Sequence, residues 1–405
     1  MTKKLAAIKR SPALDSSALF APEVVADPFP LYRELRPHTP FATSDGHWLV
    51  MQHEHVFAAL SDHRTFSSNL SHIDNEVLRE TPIIFEDQPG HTRHRKLVQP
   101  AFTAGRTAAM EPWVASVVND VVDALPEGEV EAVAALCDPL PVRVVARLMG
   151  VSQERHVQFK EWSDERTYLV AQRGAPTSDE HARRIDHARD ANRRLLDYFL
   201  SEARARRAAP LRDLITDLVL ANDGVDALTE SEVAAVCALL LTAGNVTTTN
   251  VLGNLLGLLA DLPEVYARVR KDRTLVGEAV EEALRLESPV QWLYRRTLGE
   301  TELGGVTIPA HASVLVYFGA ANRDPAVYPE PDRFDLANRS RRHAAFGYGI
   351  HFCLGAPLAR LETMLVVNAI LDRFSAVERS AVPARRISDA ATHCGYVLLP
   401  LVFSA

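Results

Sequence analysis

The sequence has no paired cysteines, no excess of positive charge and no apolar leader, and each absence removes a class of function. Its four cysteines, Cys137, Cys237, Cys353 and Cys394, lie far apart and form no CxxC pair in 405 residues. A disulfide framework or a tetrahedral zinc site is therefore unsupported. Lys and Arg number 44 against 52 Asp and Glu, giving a formal net charge of -8 and a pI near 6.0. That balance argues against nucleic-acid binding as the main business of the chain. The N-terminal stretch MTKKLAAIKRSPALDSS is basic but lacks the apolar run of a secretory signal. No repeat, low-complexity tract or evident linker interrupts the rest of the chain. The sequence reads as a cytoplasmic protein with reduced thiols, one large domain over residues 1–405, with residues 1–20 a flexible N-terminal segment.

What is present is mostly helix. From about Glu111 onward, apolar residues recur at helical spacing over Pro112–Leu125, Pro139–Met149, Glu154–Ala171, Glu180–Arg207, Leu211–Ala221, Pro263–Lys271, Leu275–Leu286 and Leu358–Phe374. Val233–Ala260 carries no charged residue and is long enough to cross a bilayer. Its centre, however, is Asn245-Val-Thr-Thr-Thr-Asn250, groups that hydrocarbon penalises and a protein core can pair. With Thr229 as cap, this predicts a central core helix and no membrane anchor. Strand signals are short: His47–Met51, Thr307–Ile308, Ser313–Tyr317 and Tyr396–Val402. Gly319–Gly349 reads as ordered irregular chain. The fold class is mainly α with small β-sheets.

The most informative stretch is Phe346-Gly-Tyr-Gly-Ile-His-Phe-Cys-Leu-Gly355, followed at once by an amphipathic helix. Glycines let backbone pass close to something flat, and a helix N-terminus favours thiolate over thiol. In this register, Phe346, Gly349, Cys353 and Gly355 match Phe-x-x-Gly-x-x-x-Cys-x-Gly. The chain thus resembles the cytochrome P450 superfamily, in its soluble bacterial branch. The resemblance implies haem b (iron protoporphyrin IX) buried between the central helix and the cysteine loop with its following helix. Cys353 would be the iron ligand, with Phe346, Gly347, Gly355 and His351 at the cofactor.

Further motifs occur in the order the family has them. Glu282-Ala-Leu-Arg285 places a carboxylate and a guanidinium three apart on one helical face. Pro331-Asp-Arg-Phe334 comes after it, so Glu282, Arg285 and Arg333 are expected to form a buried structural cluster. Asp87–Arg95 resembles the segment that supplies His91 and Arg95 to the haem propionates, on a helix starting near Pro89. Arg295 resembles another propionate-binding arginine.

Ala243-Gly-Asn-Val-Thr-Thr248 falls where the family usually has Ala-Gly-x-Asp/Glu-Thr. Gly244 costs a helix about 1 kcal/mol relative to alanine and so suggests close approach to something. Threonine can bend a helix by bonding to the preceding turn. Ala243, Gly244, Thr247 and Thr248 are the catalytic candidates, with Thr247 implied to hydrogen-bond bound dioxygen and relay protons. Val246 departs from the family, since it stands where the relay acid usually is. Asn245, Thr248 and water are the alternative carriers, unless the reaction is of another type: a peroxygenase, a dehydratase or a nitric oxide reductase.

Pocket candidates by resemblance are Ile83, Ile84, Phe85, Ala243, Val246, Val290, Gln291, Trp292 and Cys394, with Tyr168 and Leu169 also near. This mostly apolar lining suits a small apolar substrate. Trp292 either narrows the pocket or serves the core. The expected function is oxygen insertion from O2 by hydroxylation or epoxidation, a non-catalytic haem or ligand-binding protein being the third reading. The chain shows no fused flavin or iron–sulfur domain, so electrons are expected from a separate ferredoxin or flavodoxin. Arg339, Arg341, Arg342 and His343 are a candidate docking face or an ordinary solvated loop. The protein is expected to be a monomer.

Overall fold

A computed structural model describes residues 14–71, 73, 75–171, 178–221, 227–340 and 342–405. The described chain forms two compact units, each assembled from separated stretches.

The first unit takes the chain up to Leu70, Glu278–Cys353 and Arg385–Val397. Its centre is a five-stranded sheet in the order Phe41–Ala42, His47–Val50, Ser313–Tyr317, Trp292–Thr297, Phe66–Ser67. His47–Val50 runs parallel to Ser313–Tyr317, and the other pairs are antiparallel. Val50, Val314 and Val316 are fully buried, and Val56 and Leu60 of the helix His53–Ser61 pack in the same core. The strand Trp292–Thr297 carries two arginines and gave no strand signal in the sequence; aromatic residues on one face fix it. Trp292 and Tyr294 stack edge to face at 5.0 Å, and Trp292 also meets Phe20 and Tyr317. Of the segment expected to be flexible, residues 1–13 lie outside the described residues. Residues 14–20 are ordered: Asp15 caps the turn Ser16–Phe20, and Ser16 N–H donates to Asp45 at 3.0 Å.

The second unit takes Ser71–Gly277, Leu354–Ala384 and Leu398–Ala405. It is built around the central helix Glu230–Asp261, which packs against the helices Pro139–Met149, His156–Ala171, Asp179–Ala208, Leu214–Leu220, Pro263–Lys271 and Ala356–Arg373. Thr229 starts the central helix through a reciprocal cap: its Oγ1 accepts from Glu232 N–H at 3.2 Å, and Glu232 Oε2 accepts from Thr229 N–H at 2.8 Å. This helix is long and apolar enough to cross a membrane, yet 61% of its most apolar stretch is buried inside the protein, as in a core helix. The expected helix at Pro112 begins earlier, at Ala104, with Thr103 as cap and Pro112 inside it. The expected strand Tyr396–Val402 divides into Tyr396–Leu398 and Pro400–Ser404. Pro400–Ser404 is the centre of a three-stranded antiparallel sheet with Gly128–Glu131 and Ala376–Arg379.

Candidate active site

Three of the four cysteines are buried, and Cys353 alone is partly accessible. Burial pushes the thiols of Cys137, Cys237 and Cys394 up, which keeps them neutral packing groups. Cys353 closes a glycine loop in the first unit, its N–H donating to Phe346 O at 2.9 Å. Gly347 (φ 68°) and Gly349 (φ 72°) give this loop its left-handed turns. A Cβ on Gly349 would lie 2.4 Å from Leu60 O, so the loop passes the helix His53–Ser61 only with glycine there. Two residues beyond Cys353, Gly355 is the N-cap of Ala356–Arg373.

The loop is preceded by a buried ionic node on the helix Val276–Leu286. Arg285 Nε and Nη2 donate to Glu282 Oε2 and Oε1 at 2.8 and 2.7 Å. Nη1 donates to Asn322 O and Pro331 O, both at 2.8 Å, and Nη2 to Arg333 O at 2.9 Å. Every guanidinium donor is thus used. The plane also lies over Tyr328, 4.7 Å from its ring centre. Glu282 Oε1 further accepts from Asp335 N–H at 2.8 Å and Asn338 Nδ2 at 2.9 Å. The node therefore holds several points of the irregular chain that leads to Cys353. Arg333 enters it differently from the sequence expectation: its carbonyl accepts from Arg285, whereas its side chain is exposed and pairs with Glu330.

Arg295 is buried in the strand Trp292–Thr297, with Nη1 donating to Tyr294 O at 2.7 Å. His351 is half-buried in the turn Gly349–His351. Three pocket candidates are committed elsewhere. Gln291 donates to Ser288 O at 2.6 Å and fills the space that a side chain on Gly319 would need. Trp292 bonds Ala391 O at 2.9 Å from within its aromatic cluster. Cys394 is buried, donating to Glu287 at 3.2 Å. Val290 stays half-buried, bridged to His393. Of the basic run, Arg342 is exposed, but His343 pairs with Glu281 at 3.0 Å with its side chain only 9% exposed. Arg341 and the Arg339 side chain lie outside the described residues.

In the second unit, the helix Gly90–Val98 carries His91, buried, and Arg95, half-buried, one turn apart. Between them lies a network that sequence reasoning missed. Arg93 Nη1 donates to Glu232 Oε1 at 2.6 Å, and His94 sits between Glu86 Oε2 at 2.8 Å and Glu232 Oε1 at 3.2 Å. The Arg93 bond is the main reason that the Glu232 carboxyl is held at about 2. The hydrogen bond to Glu86 raises His94 above its usual 6.5. A raised folded-state value means stability that is fully present below pH 6.5 and lost as pH rises through the folded value. Thermal midpoints of wild type and His94→Gln across pH should therefore differ most in mild acid and converge toward alkaline pH. A gap that widens with pH contradicts the assignment.

Along the central helix, Leu240, Ala243, Gly244 and Thr247 are partly accessible at i, i+3, i+4 and i+7, while most of the helix is buried. Val246 is also partly accessible. Thr247 Oγ1 donates back to Ala243 O at 2.6 Å. Thr248 is buried. A Cβ on Gly244 would meet Val145 Cγ2 at 2.9 Å, so the close approach this glycine permits is that of the helix Pro139–Met149. Asn245, a candidate proton carrier in the sequence, is fully buried and donates to Ser163 Oγ at 3.1 Å. Of the pocket candidates here, Ile83 is buried at φ 67°, and Ile84 and Phe85 are half-buried.

The residues of each unit, taken separately, have the chemistry that an iron macrocycle bearing carboxylates needs: Cys353, Arg295 and His351 in the first, His91 and Arg95 in the second. A single accessible cysteine can take the iron, and His91, Arg95, Arg295 and His351 have the chemistry that carboxylates need. A strip of small side chains lies half open on an otherwise apolar helix.

Comparison with known proteins agrees. A cytochrome P450 family model matches residues 41–393. Cyclomarin C epoxidase CymV of Salinispora arenicola is 35% identical over 359 residues, 87% of this chain and 90% of that protein. The 6-deoxyerythronolide B hydroxylase of Saccharopolyspora erythraea is 35% identical over 364 residues, 85% of this chain and 87% of that protein. The crystal structure of CYP109E1 from Bacillus megaterium with testosterone superposes with a TM-score of 0.85 at 31% identity, covering 95% of this chain and 100% of that one. The chain therefore belongs to the cytochrome P450 family, as a haem b monooxygenase of bacterial type.

Proposed function

We propose that this enzyme inserts one oxygen atom of O2 into a small apolar substrate, by hydroxylation or epoxidation, with electrons from a separate ferredoxin or flavodoxin. The observation that carries the reading is Cys353, the one accessible cysteine, at the end of a loop whose glycines cannot be replaced without strain. The haem supplies dioxygen activation and accepts the electrons; the chain supplies the rest. Cys353 binds the iron through sulfur, with Phe346, Gly347 and Gly355 shaping its loop. The amides at the start of Ala356–Arg373 favour its thiolate. Arg295, His351, His91 and Arg95 bind the propionates. Thr247 holds and passes a proton through Oγ1, beside the partly accessible Ala243 and Gly244 and the buried Thr248.

Ile83, Ile84, Phe85, Ala243, Val246 and Val290 give the substrate site an apolar lining. Relatives named for an epoxidase and a hydroxylase support the reaction type, and one crystallised with testosterone supports an apolar substrate class. We further propose that both units work as one cytochrome P450 domain, because the family match runs through both. In this reading the protein acts as a cytoplasmic monomer, with the apolar helix Glu230–Asp261 in its core rather than in a bilayer.

Turnover with a ferredoxin and its reductase under isotopically labelled dioxygen should place one labelled oxygen atom in the product. Val246 motivates one rival, a peroxygenase. Product formed from peroxide alone, and none with the reductase pair, would select it. Thr247→Ala should divert reducing equivalents to hydrogen peroxide while leaving substrate-induced spectral shifts nearly unchanged. Full coupling in that variant removes Thr247 from proton transfer.

A further inference from the structure

Ile83 holds a backbone conformation that a β-branched residue avoids. Its φ of 67° is left-handed, and the residue is buried in the turn that also carries Ile84 and Phe85. Such a conformation persists only where surrounding groups over-determine it. Glu86 does so here. Its Oε2 accepts from Ile83 N–H at 2.8 Å, while the next amide, Ile84 N–H, donates to Pro82 O at 2.7 Å.

Glu86 is itself held in place. The same Oε2 lies 2.8 Å from His94 Nδ1, and His94 Nε2 lies 3.2 Å from Glu232 Oε1 at the start of the central helix. With a carboxylate at each ring nitrogen, the buried imidazole is satisfied as imidazolium, donating both ways. Arg93 Nη1 also comes within 3.2 Å of Nε2, but its short bond, 2.6 Å, goes to Glu232 Oε1. Burial opposes the ionisation of Glu86, yet the bonds from His94 and Ile83 hold its carboxyl below the usual 4.5. Glu86 is therefore a carboxylate near neutral pH, and its bond to Ile83 is charge-assisted. Contacts thus run unbroken from the capped start of the central helix, through His94 and Glu86, to the strained turn.

We propose that Glu86, clamped by His94, is a specificity-determining positioning residue that holds Ile83 in its left-handed turn and so sets the apolar wall of the substrate site. This deepens the monooxygenase reading, and it rests on the proposed place of Ile83, Ile84 and Phe85 in the substrate lining. Glu86 touches no reacting atom; it acts through the backbone of Ile83. Once released, Ile83 returns to an ordinary negative φ and carries Ile84 and Phe85 with it.

The test uses two probes with the same iron-binding nitrogen and different bulk, imidazole and N-benzylimidazole, titrated into the haem-loaded enzyme and read by their spectral shifts. Glu86→Ala should weaken N-benzylimidazole roughly tenfold, the size of one lost charge-assisted hydrogen bond, and leave imidazole unchanged. Glu86→Gln, whose amide oxygen still accepts from Ile83, should keep most of the wild-type ratio of the two dissociation constants. Glycine adopts positive φ freely, so Ile83→Gly needs no carboxylate to keep the turn. Glu86→Ala added to Ile83→Gly should therefore move the ratio by no more than about twofold, the interaction between neighbours that such a cycle isolates. The same tenfold loss with and without Ile83→Gly, or no loss in either, overturns the proposal. If Glu86→Ala gives no haem-loaded protein, His94→Ala takes its place in the same cycle. Failure of the underlying reading looks different, because Ile83→Gly alone would then leave the ratio at its wild-type value.

Discussion

Arg285→Ala is expected to leave little folded, haem-loaded protein. Arg285 is 1% exposed and spends all its donors on Glu282, Asn322, Pro331 and Arg333. Its removal strands the Glu282 carboxylate, itself 3% exposed, and releases three carbonyls of the irregular chain. Breaking one partner of a buried pair costs about 3–5 kcal/mol, against a total stability of about 5–15 kcal/mol. Glu282→Ala should behave the same way, since it also frees Asp335 N–H and Asn338. Even Arg285→Lys should fail in part, because an ammonium cannot reproduce the planar fork. Arg333→Ala is the control: only its carbonyl joins the node, and its exposed pair with Glu330 contributes little. Soluble yield, haem content and thermal midpoint measure all four. Recovery of Arg285→Ala or Glu282→Ala with wild-type haem content and midpoint would show that the node is not what holds the approach to Cys353.

Physical causes decide which parts of the fold were legible in the sequence. Long helices announced themselves through periodicity: Pro139–Met149 and Pro263–Lys271 were placed to the residue, and the central helix to within three. The helix Glu76–Glu80 was not read, because five residues are too few for a helical period to show, and His53–Ser61 was not read because it lacks the N-terminal proline that marked the equally short Pro263–Lys271. The strand Trp292–Thr297 was hidden because its buried arginine reads as a loop charge until its neighbours are known. Motif spacing picked out the Glu282–Arg285 pair, but it could not tell a side chain from a backbone carbonyl, which is where Arg333 departed. Nor could it distinguish pocket from core at Gln291, Trp292 and Cys394, where long-range partners decide. Gly244 shows the converse: its close approach was foreseen, and the partner is Val145.

The central claim is that Cys353 ligates the haem iron as a thiolate, and the reduced carbon monoxide spectrum tests it most directly. A thiolate-ligated haem that has bound carbon monoxide would give a strongly red-shifted Soret band, which a serine oxygen cannot reproduce. Cys137, Cys237 and Cys394 are buried with thiols raised by that burial, so none can substitute. The account predicts the red-shifted band in wild type and in Cys137→Ser, Cys237→Ser and Cys394→Ser, and its complete loss in Cys353→Ser. Persistence of the band in Cys353→Ser, or its loss in any of the other three with haem still bound, would contradict it.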